Sequence, residues 1–564
     1  MDHRPWHRHY DNGVPPALDF ENATVIDWMR RAASSHGARR ALVFLNGRLT
    51  FREFEDQVER LATALAGLGV EPGSRVAIMT PNIPQFEIAS YATMLLGAIA
   101  VPTNPLYTPP EIRHQWTDAG AEIAVVMDYI FDQRIRSIRD TLPIREYVIA
   151  SIPEYLRFPL SLLAPLRLKR LEPPLVAKVA EERHVRPFRK LIDATVPRVP
   201  RVDLHLDDVA TLLYTGGTTG VSKGAALTHG NLSSNVQQLR AWFPKAGDGE
   251  ETILCALPLF HSFGYTVVMH FAMRIAATQI MIPNPRDIPA IIKAVVKHRI
   301  TLFPAVPNHY AAINRFAAEH DVDLSSIKAC NSGSAPLPVD TLETFERLTG
   351  AKISEGFGLT ETSPVTHSNP LYSTRKVGSI GVPLPSTDCR IVGAEAGTRG
   401  LPAGEVGELI VKGPQVMRGY WNRSDATADM IRDGWLYTGD LARMDEDGFC
   451  FIEGRKKDMI LCSGYNVYPD EIDRVLAAHP AVLEAATIGV SDAARGEHPL
   501  AFVVLRPGAS ATPEELDAYC RENLAAYKVP REWKFISELP KSSILKVLRR
   551  ELREREMAGR SART

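Results

Sequence analysis

Cysteine is scarce in this chain, and strong charge of either sign is absent. Its 564 residues include six cysteines, and Cys255, Cys330, Cys389, Cys450, Cys462 and Cys520 lie scattered without a Cys-x-x-Cys pair or metal-ligand spacing. A disulfide framework and a zinc ribbon are thereby disfavoured, and a reduced, cytosolic setting is expected. The formal net charge of −1 leaves no electrostatic footprint for nucleic acid. No apolar run is long enough to span a bilayer. The longest, residues 88–102, is interrupted by Ser, Tyr, Thr and Gly and reads as a buried helix running into a strand. Met1-Asp2-His3-Arg4 opens the chain without the apolar region of a secretory leader. His3, His7 and His9 read as part of a disordered polar arm rather than a metal tag. Internal repeats and low-complexity tracts are also missing.

What is present is alternation. From about Asn22 to Ala150, helical segments such as Phe54–Leu61 alternate with short β-rich runs such as Arg75–Met79. A second set follows from about Val209 to Ile353, and this is the pattern of layered α/β structure. Residues 153–197 break the rhythm with a mixture of Leu, Pro, Arg and Lys. Two readings stay open there: peripheral contact with an anionic membrane, or a surface excursion packed on the domain. From about Gly378 to Glu453 the chain turns β- and Gly-rich, which suggests a barrel-like subdomain. A compact α/β tail of about a hundred residues follows Lys457. The expected division is therefore 1–456 and 457–564. Near the C-terminus Lys546, Arg549, Arg550, Arg553 and Arg555 alternate with Glu551, Glu554 and Glu556, a solvated-helix pattern.

The richest segment is Tyr214-Thr215-Gly216-Gly217-Thr218-Thr219-Gly220-Val221-Ser222-Lys223-Gly224, which follows the strand-like Val209–Leu213. Glycines let backbone approach a bulky anion, while N–H groups, hydroxyls and one lysine supply donors to its oxygens. That chemistry suits a phosphate. Lys223 is followed by Gly224 and Ala225 rather than Ser or Thr opening a helix, so the Walker A form is excluded.

Four more segments follow in order: Gly356-Phe357-Gly358-Leu359-Thr360-Glu361-Thr362, Tyr437-Thr438-Gly439-Asp440, Gly454-Arg455-Lys456-Lys457-Asp458, and Pro540-Lys541-Ser542-Ser543-Ile544-Leu545-Lys546. With the loop, they make the chain resemble the adenylate-forming superfamily from about Ala32 to Arg553. Phrases such as Pro283-Asn284-Pro285-Arg286-Asp287 and Ser463-Gly464-Tyr465-Asn466-Val467-Tyr468-Pro469 are similar to bacterial long-chain fatty acyl-CoA synthetases.

The resemblance implies a large α/β N-terminal domain with a β-barrel-like subdomain and a small, mobile α+β C-terminal domain hinged near Lys457. It implies ATP, Mg²⁺, CoA and a fatty acid as cofactor and substrates. Thr215, Gly216, Gly217, Thr218, Thr219, Gly220 and Lys223 would wrap the β- and γ-phosphates. Thr360 would touch the α-phosphate and Glu361 would hold Mg²⁺. Gly333, Ser334 and Ala335 would line the adenine with Gly356, Phe357 and Gly358; Phe357 stands where the family commonly has Tyr. Asp440 would accept from the ribose hydroxyls, beside Arg455. Lys546 would bridge the substrate carboxylate and α-phosphate, and Leu545 occupies a position the family usually gives to Gly. His261 would abut the carboxylate end of the acyl site. Ser463, Gly464 and Tyr465 would line the pantetheine channel. Rival expectations are transfer to a carrier-protein phosphopantetheine and a non-catalytic acyl or nucleotide sensor. Location is expected to be cytoplasmic, with peripheral attachment to the inner membrane face and a homodimer left open.

Overall fold

The computed structural model describes residues 4–215, 222–393, 399–462, 465–492, 496–542 and 547–561. The chain divides into two compact units. The larger comprises Trp6–Asp388 with Lys412–Gly434; the smaller comprises Cys389–Val411 and Trp435–Thr564 with Met1–Pro5.

Two sheets build the larger unit. One runs in the order Gly419–Tyr420, Lys223–Thr228, Val209–Thr215, Ile99–Pro102, Arg75–Met79, Ile123–Met127, Glu146–Ala150, Val185–Pro187. From Val209–Thr215 onward its strands are parallel, whereas Lys223–Thr228 turns back antiparallel. Parallel strands are covered on both faces, which explains why Ile123–Met127 buries all five of its residues. The second sheet centres on parallel strands Arg40–Phe44, Thr278–Met281, Thr252–Cys255, Leu302–Ala305, Ala329–Ser332 and Lys352–Gly358. Its core includes Ile291, Val295, Phe303, Tyr310 and Phe345.

The apolar run at 88–102 resolves as expected: helix Pro84–Leu95 buries every residue and leads to strand Ile99–Pro102. Such burial requires its polar groups to be neutral or bonded. Gln279 Nε2 donates to Glu87 Oε2 at 2.9 Å, and burial pushes the Glu87 carboxyl up to about 8.

In the smaller unit, strand Gly496–Leu505 lies in a sheet with Val482–Asp492, Ile460–Cys462 and Glu532–Phe535. Its side chains alternate between two cores. Ala501 and Val503 pack with Ile472, Leu476 and Leu516 of the helices Pro469–Ala477 and Pro513–Asn523; Leu500 and Phe502 pack with Leu552 of Arg549–Ser561. Before this sheet, Trp435–Met444 pairs antiparallel with Val406–Lys412 and Cys450–Arg455. Arg474 bridges Glu453 at 3.0 Å, tying helix Pro469–Ala477 to that hairpin.

Two expectations are corrected. The C-terminal helix is not solvated all round: Leu552 is 1% exposed, and the Arg549 guanidinium is buried against Asp470 and Asp473. Their i, i+3 spacing gives the helix a packed face despite its charge. Nor is the N-terminal arm a disordered polar segment over its described part. Trp6 is buried in a short 3₁₀ turn, Tyr10 donates to Pro383 O at 2.6 Å, and Asp11 accepts from the N–H groups of Leu371 and Tyr372. His3 lies outside the described residues. Segment 153–197 divides in character. Tyr155, Leu156, Val185, Phe188 and Ile192 are buried, while helix Leu160–Leu168 between them buries none of its residues.

Candidate active site

Strands Val209–Thr215 and Lys223–Thr228 form an antiparallel hairpin in which Thr215 faces Lys223 across the ladder. The glycine-rich connection is thereby closed at its base; Gly216, Gly217, Thr218, Thr219 and Gly220 lie outside the described residues. The short strand Gly419–Tyr420 adds to the edge of this hairpin, opposite Ala225 and Ala226. Its position carries Tyr420 beneath Lys223, with the ammonium 5.2 Å from the ring centroid, a cation–π arrangement.

Tyr420 then donates to Glu361 Oε1 at 2.6 Å. Burial, followed by the adjacent Glu361 carboxylate, pushes the phenol well above its ordinary range, so it remains a donor. Glu361 is 7% exposed in the 3₁₀ turn Thr360–Thr362, and its backbone carbonyl accepts from Met417 N at 2.8 Å. Its second carboxylate oxygen accepts no hydrogen bond among the described residues.

Thr360 Oγ1 lies 3.3 Å from Ser262 Oγ, at the mouth of the π-helix Phe263–His270. His261 Nδ1 accepts from Phe263 N at 3.3 Å, and His261 O accepts from Tyr265 N at 2.8 Å. A wide helical turn of this kind is common at functional sites. Phe263 in turn packs on Gly333, where a Cβ would come within 3.2 Å of its Cε1. Ser334 adopts φ 73°, a left-handed backbone that turns the loop sharply before the exposed Ala335. Leu337 N donates to Glu355 Oε1 at 3.1 Å, fastening this loop to the next strand. Burial raises the Glu355 carboxyl to about 7.

Phe357 sits opposite His367 across an antiparallel pair, their rings edge-to-face at 6.2 Å. At Gly358 a Cβ would fall 2.0 Å from Pro364 O, so only glycine fits there. Contacts thus link Lys223 through Tyr420 and Glu361, and Thr360 through Ser262 to the His261 turn and Gly333. Tyr420, Ser262 and Glu355 are additions that spacing did not reveal.

The smaller unit brings Asp440 and Arg455 together across the hairpin Trp435–Met444/Cys450–Arg455, with Arg455 Nε 2.7 Å from Asp440 Oδ1. Asp440 is 3% exposed, and its N–H donates to Thr438 Oγ1 at 3.1 Å. The intervening Gly439 has φ 69°, and its N–H donates to Glu408 Oε1. Tyr465 is exposed and stacks on Tyr527 at 4.6 Å. Ser463, Gly464, Leu545 and Lys546 lie outside the described residues.

In the larger unit, the buried Glu361 carboxylate, the Thr360 and Ser262 hydroxyls and the Lys223 cation suit binding of a polyanion through direct donors and a hard cation. Comparison with known proteins gives the family. The family described as AMP-binding enzyme matches residues 29–421, and the AMP-binding enzyme C-terminal domain matches 471–546. A long-chain-fatty-acid–CoA ligase of Bacillus subtilis is 41% identical over 553 residues, 98% of each chain. Among solved structures, an anthranilate CoA ligase in complex with anthranoyl-AMP gives a TM-score of 0.83 at 26% identity, covering 96% of this chain and 98% of that one. ATP-bound MatB from Rhodopseudomonas palustris gives 0.82 at 29% identity, covering 94% and 99%.

Proposed function

Because the chain belongs to the AMP-binding enzyme family, we propose that it is an ATP-dependent long-chain fatty acid–CoA ligase. The observation that carries this reading is the 41% identity to a long-chain ligase along 98% of both chains. In the first step a carboxylate oxygen of the fatty acid attacks the α-phosphorus of ATP, forming acyl-AMP and releasing pyrophosphate. In the second, the CoA thiol loses its proton and attacks the acyl carbon, and AMP leaves with the electron pair of the broken C–O bond.

Both first-step reactants are anionic, so charge neutralisation and alignment dominate the barrier. Lys223 and Thr215, with Gly216, Gly217, Thr218, Thr219 and Gly220, hold the β- and γ-phosphates. The Glu361 carboxylate fits Mg²⁺: it is a hard oxygen donor with one oxygen fixed by Tyr420 and the other unengaged among the described residues. Bound there, the cation supplies positive charge against the phosphates. Thr360 donates to the α-phosphate, and His261 faces the acyl carboxylate. Gly333, Ser334 and Ala335, with Gly356, Phe357 and Gly358, accommodate the adenine, with Phe357 as its stacking ring. Asp440, its other face steadied by Arg455, accepts from the ribose hydroxyls. Lys546 neutralises the charge at the reacting carboxylate. Ser463, Gly464 and Tyr465 border the pantetheine path, and the segment from Lys457 onward moves as a separate domain between the two steps.

The test measures pyrophosphate and product mass for acids from hexanoate to icosanoate, with ATP and Mg²⁺, with and without CoA. Acyl-CoA formation greatest with the longer acids is expected. Acyl-AMP without CoA ester would transfer the reading to a carrier-protein acceptor, and absence of pyrophosphate with every acid would overturn it. Lys546→Ala should lower adenylation by about 10²–10³-fold while conversion of supplied acyl-AMP to acyl-CoA persists.

A further inference from the structure

The most unusual surface of the larger unit lies between Arg157 and Leu171. Phe158 is 80% exposed, Leu162 68%, Leu166 63% and Leu163 51%, with Leu160 and Leu171 each at 41%. Six of the twenty large apolar side chains exposed among the described residues therefore fall within fourteen consecutive positions. Isolated exposed leucines need no explanation, but a cluster of this density does.

The protrusion is built, not frayed. Asn46 clamps its start, donating to Arg157 O at 2.9 Å and accepting from Arg157 N at 3.1 Å. Its far end is closed by Leu175 N donating to Leu168 O at 3.1 Å, and Gln133 Nε2 donates to Pro174 O at 2.8 Å. Between these clamps the helix Leu160–Leu168 is held with its leucines facing outward.

Charge identifies the occupant. Arg157, Arg167, Lys169 and Arg170 fall in the same stretch, which contains no carboxylate from 157 to 171. None of the four forms an ion pair among the described residues, whereas basic side chains such as Arg31, Arg139 and Arg521 do. Leucines that enter the acyl boundary, rimmed by cations at headgroup level, match an anionic phospholipid surface. The leucines project from a convex helix rather than lining a pocket, which favours insertion into a fluid acyl layer over a shaped protein groove.

We propose that residues 157–171 dock the protein reversibly on anionic membrane surfaces. The link to function rests on the ligase reading: long-chain acids partition into bilayers, so docking would place the enzyme where its acyl substrate resides. The docking itself depends only on the leucines and cations.

The test uses the full-length chain and sedimentation with vesicles of phosphatidylcholine alone or with about one-third phosphatidylglycerol. The wild-type chain should bind the anionic vesicles about tenfold more tightly, and added salt should erase that preference. Leu162→Ser with Leu166→Ser should weaken binding to both vesicles by about tenfold, because the removed side chains are those that insert. Arg167→Gln, Lys169→Gln and Arg170→Gln together should remove only the anionic preference. Acyl-CoA formation from water-soluble octanoate without vesicles should be unchanged in both variants. Equal binding by wild-type and leucine variants would overturn the proposal. So would a wild-type dimer that the leucine substitutions dissociate, since a second copy would then cover the face. Absence of acyl-CoA from the wild-type chain together with intact vesicle binding would overturn the ligase reading and leave docking standing.

Discussion

Tyr420 stands between two charges of opposite sign: its ring lies under the Lys223 ammonium, and its hydroxyl donates to Glu361. Its hydrogen bond to a carboxylate is of the stronger kind, worth ~1.5–3 kcal/mol. Tyr420→Phe keeps the ring and removes the donor, so Glu361 loses its fixed orientation. The Mg²⁺ concentration for half-maximal adenylation should rise by about three- to tenfold. Direct binding of Mn²⁺–ATP, read by the metal's EPR signal, should weaken in parallel; an unaltered metal dependence would show that Tyr420 only packs. Spacing could not announce this residue, because its partner lies 59 positions earlier in the chain. Glu361, Thr360, Lys223 and Asp440 stand out in the sequence because each sits in a motif of the resemblance, and the structure links Lys223 to Glu361 through Tyr420. Ser262 and Glu355 act through long-range contacts and carry no such local signature.

At the scale of elements, helix Pro84–Leu95 sets a pH dependence. The Glu87 carboxyl ionises at about 8 in the folded chain against an ordinary value of 4.5. Between those values the folded protein retains a proton that the unfolded chain has released, so stability falls as pH rises through that window. Glu87→Gln should flatten that fall by on the order of a few kcal/mol. Urea midpoints taken at the two ends of the window would check it, and an unchanged slope would count against it. Elsewhere, Leu552→Ala in helix Arg549–Ser561 should cost ~2–4 kcal/mol, visible as a lower thermal midpoint. A negligible change would mean that this helix is as solvated as its charge pattern suggests. Periodicity located strand Arg75–Met79 and the buried helix correctly because their own residues fix them. It missed the packed face of Arg549–Ser561 and the ordered Trp6–Tyr10 turn. There the deciding partners are distant: Tyr10 bonds to Pro383, 373 residues away.

At the scale of the whole molecule, the proposed hinge at Lys457, in the turn at 456–458, separates the two chemical steps. On the proposed reading, adenylation and thioester formation place different groups at the acyl carbon, and a hinge there would change its backbone between them. Lys457→Pro restricts φ and deletes an N–H. Pyrophosphate exchange should persist at near the wild-type rate while acyl-CoA formation falls by about tenfold or more. Equal rates for both steps would refute the hinge.

The smaller unit is assembled from separated stretches, with Lys412–Gly434 belonging to the larger one. Within it, Glu453 and Arg474 meet from either side of Lys457. A genetic crossover near codon 457 would unite a hairpin from one parent with a helix from the other, surfaces never selected in each other's presence. Such hybrids inherit a mismatch unless both lineages kept the same complementary pair. Exchange of the last hundred residues between diverged relatives should therefore succeed more often where both members of the pair are retained.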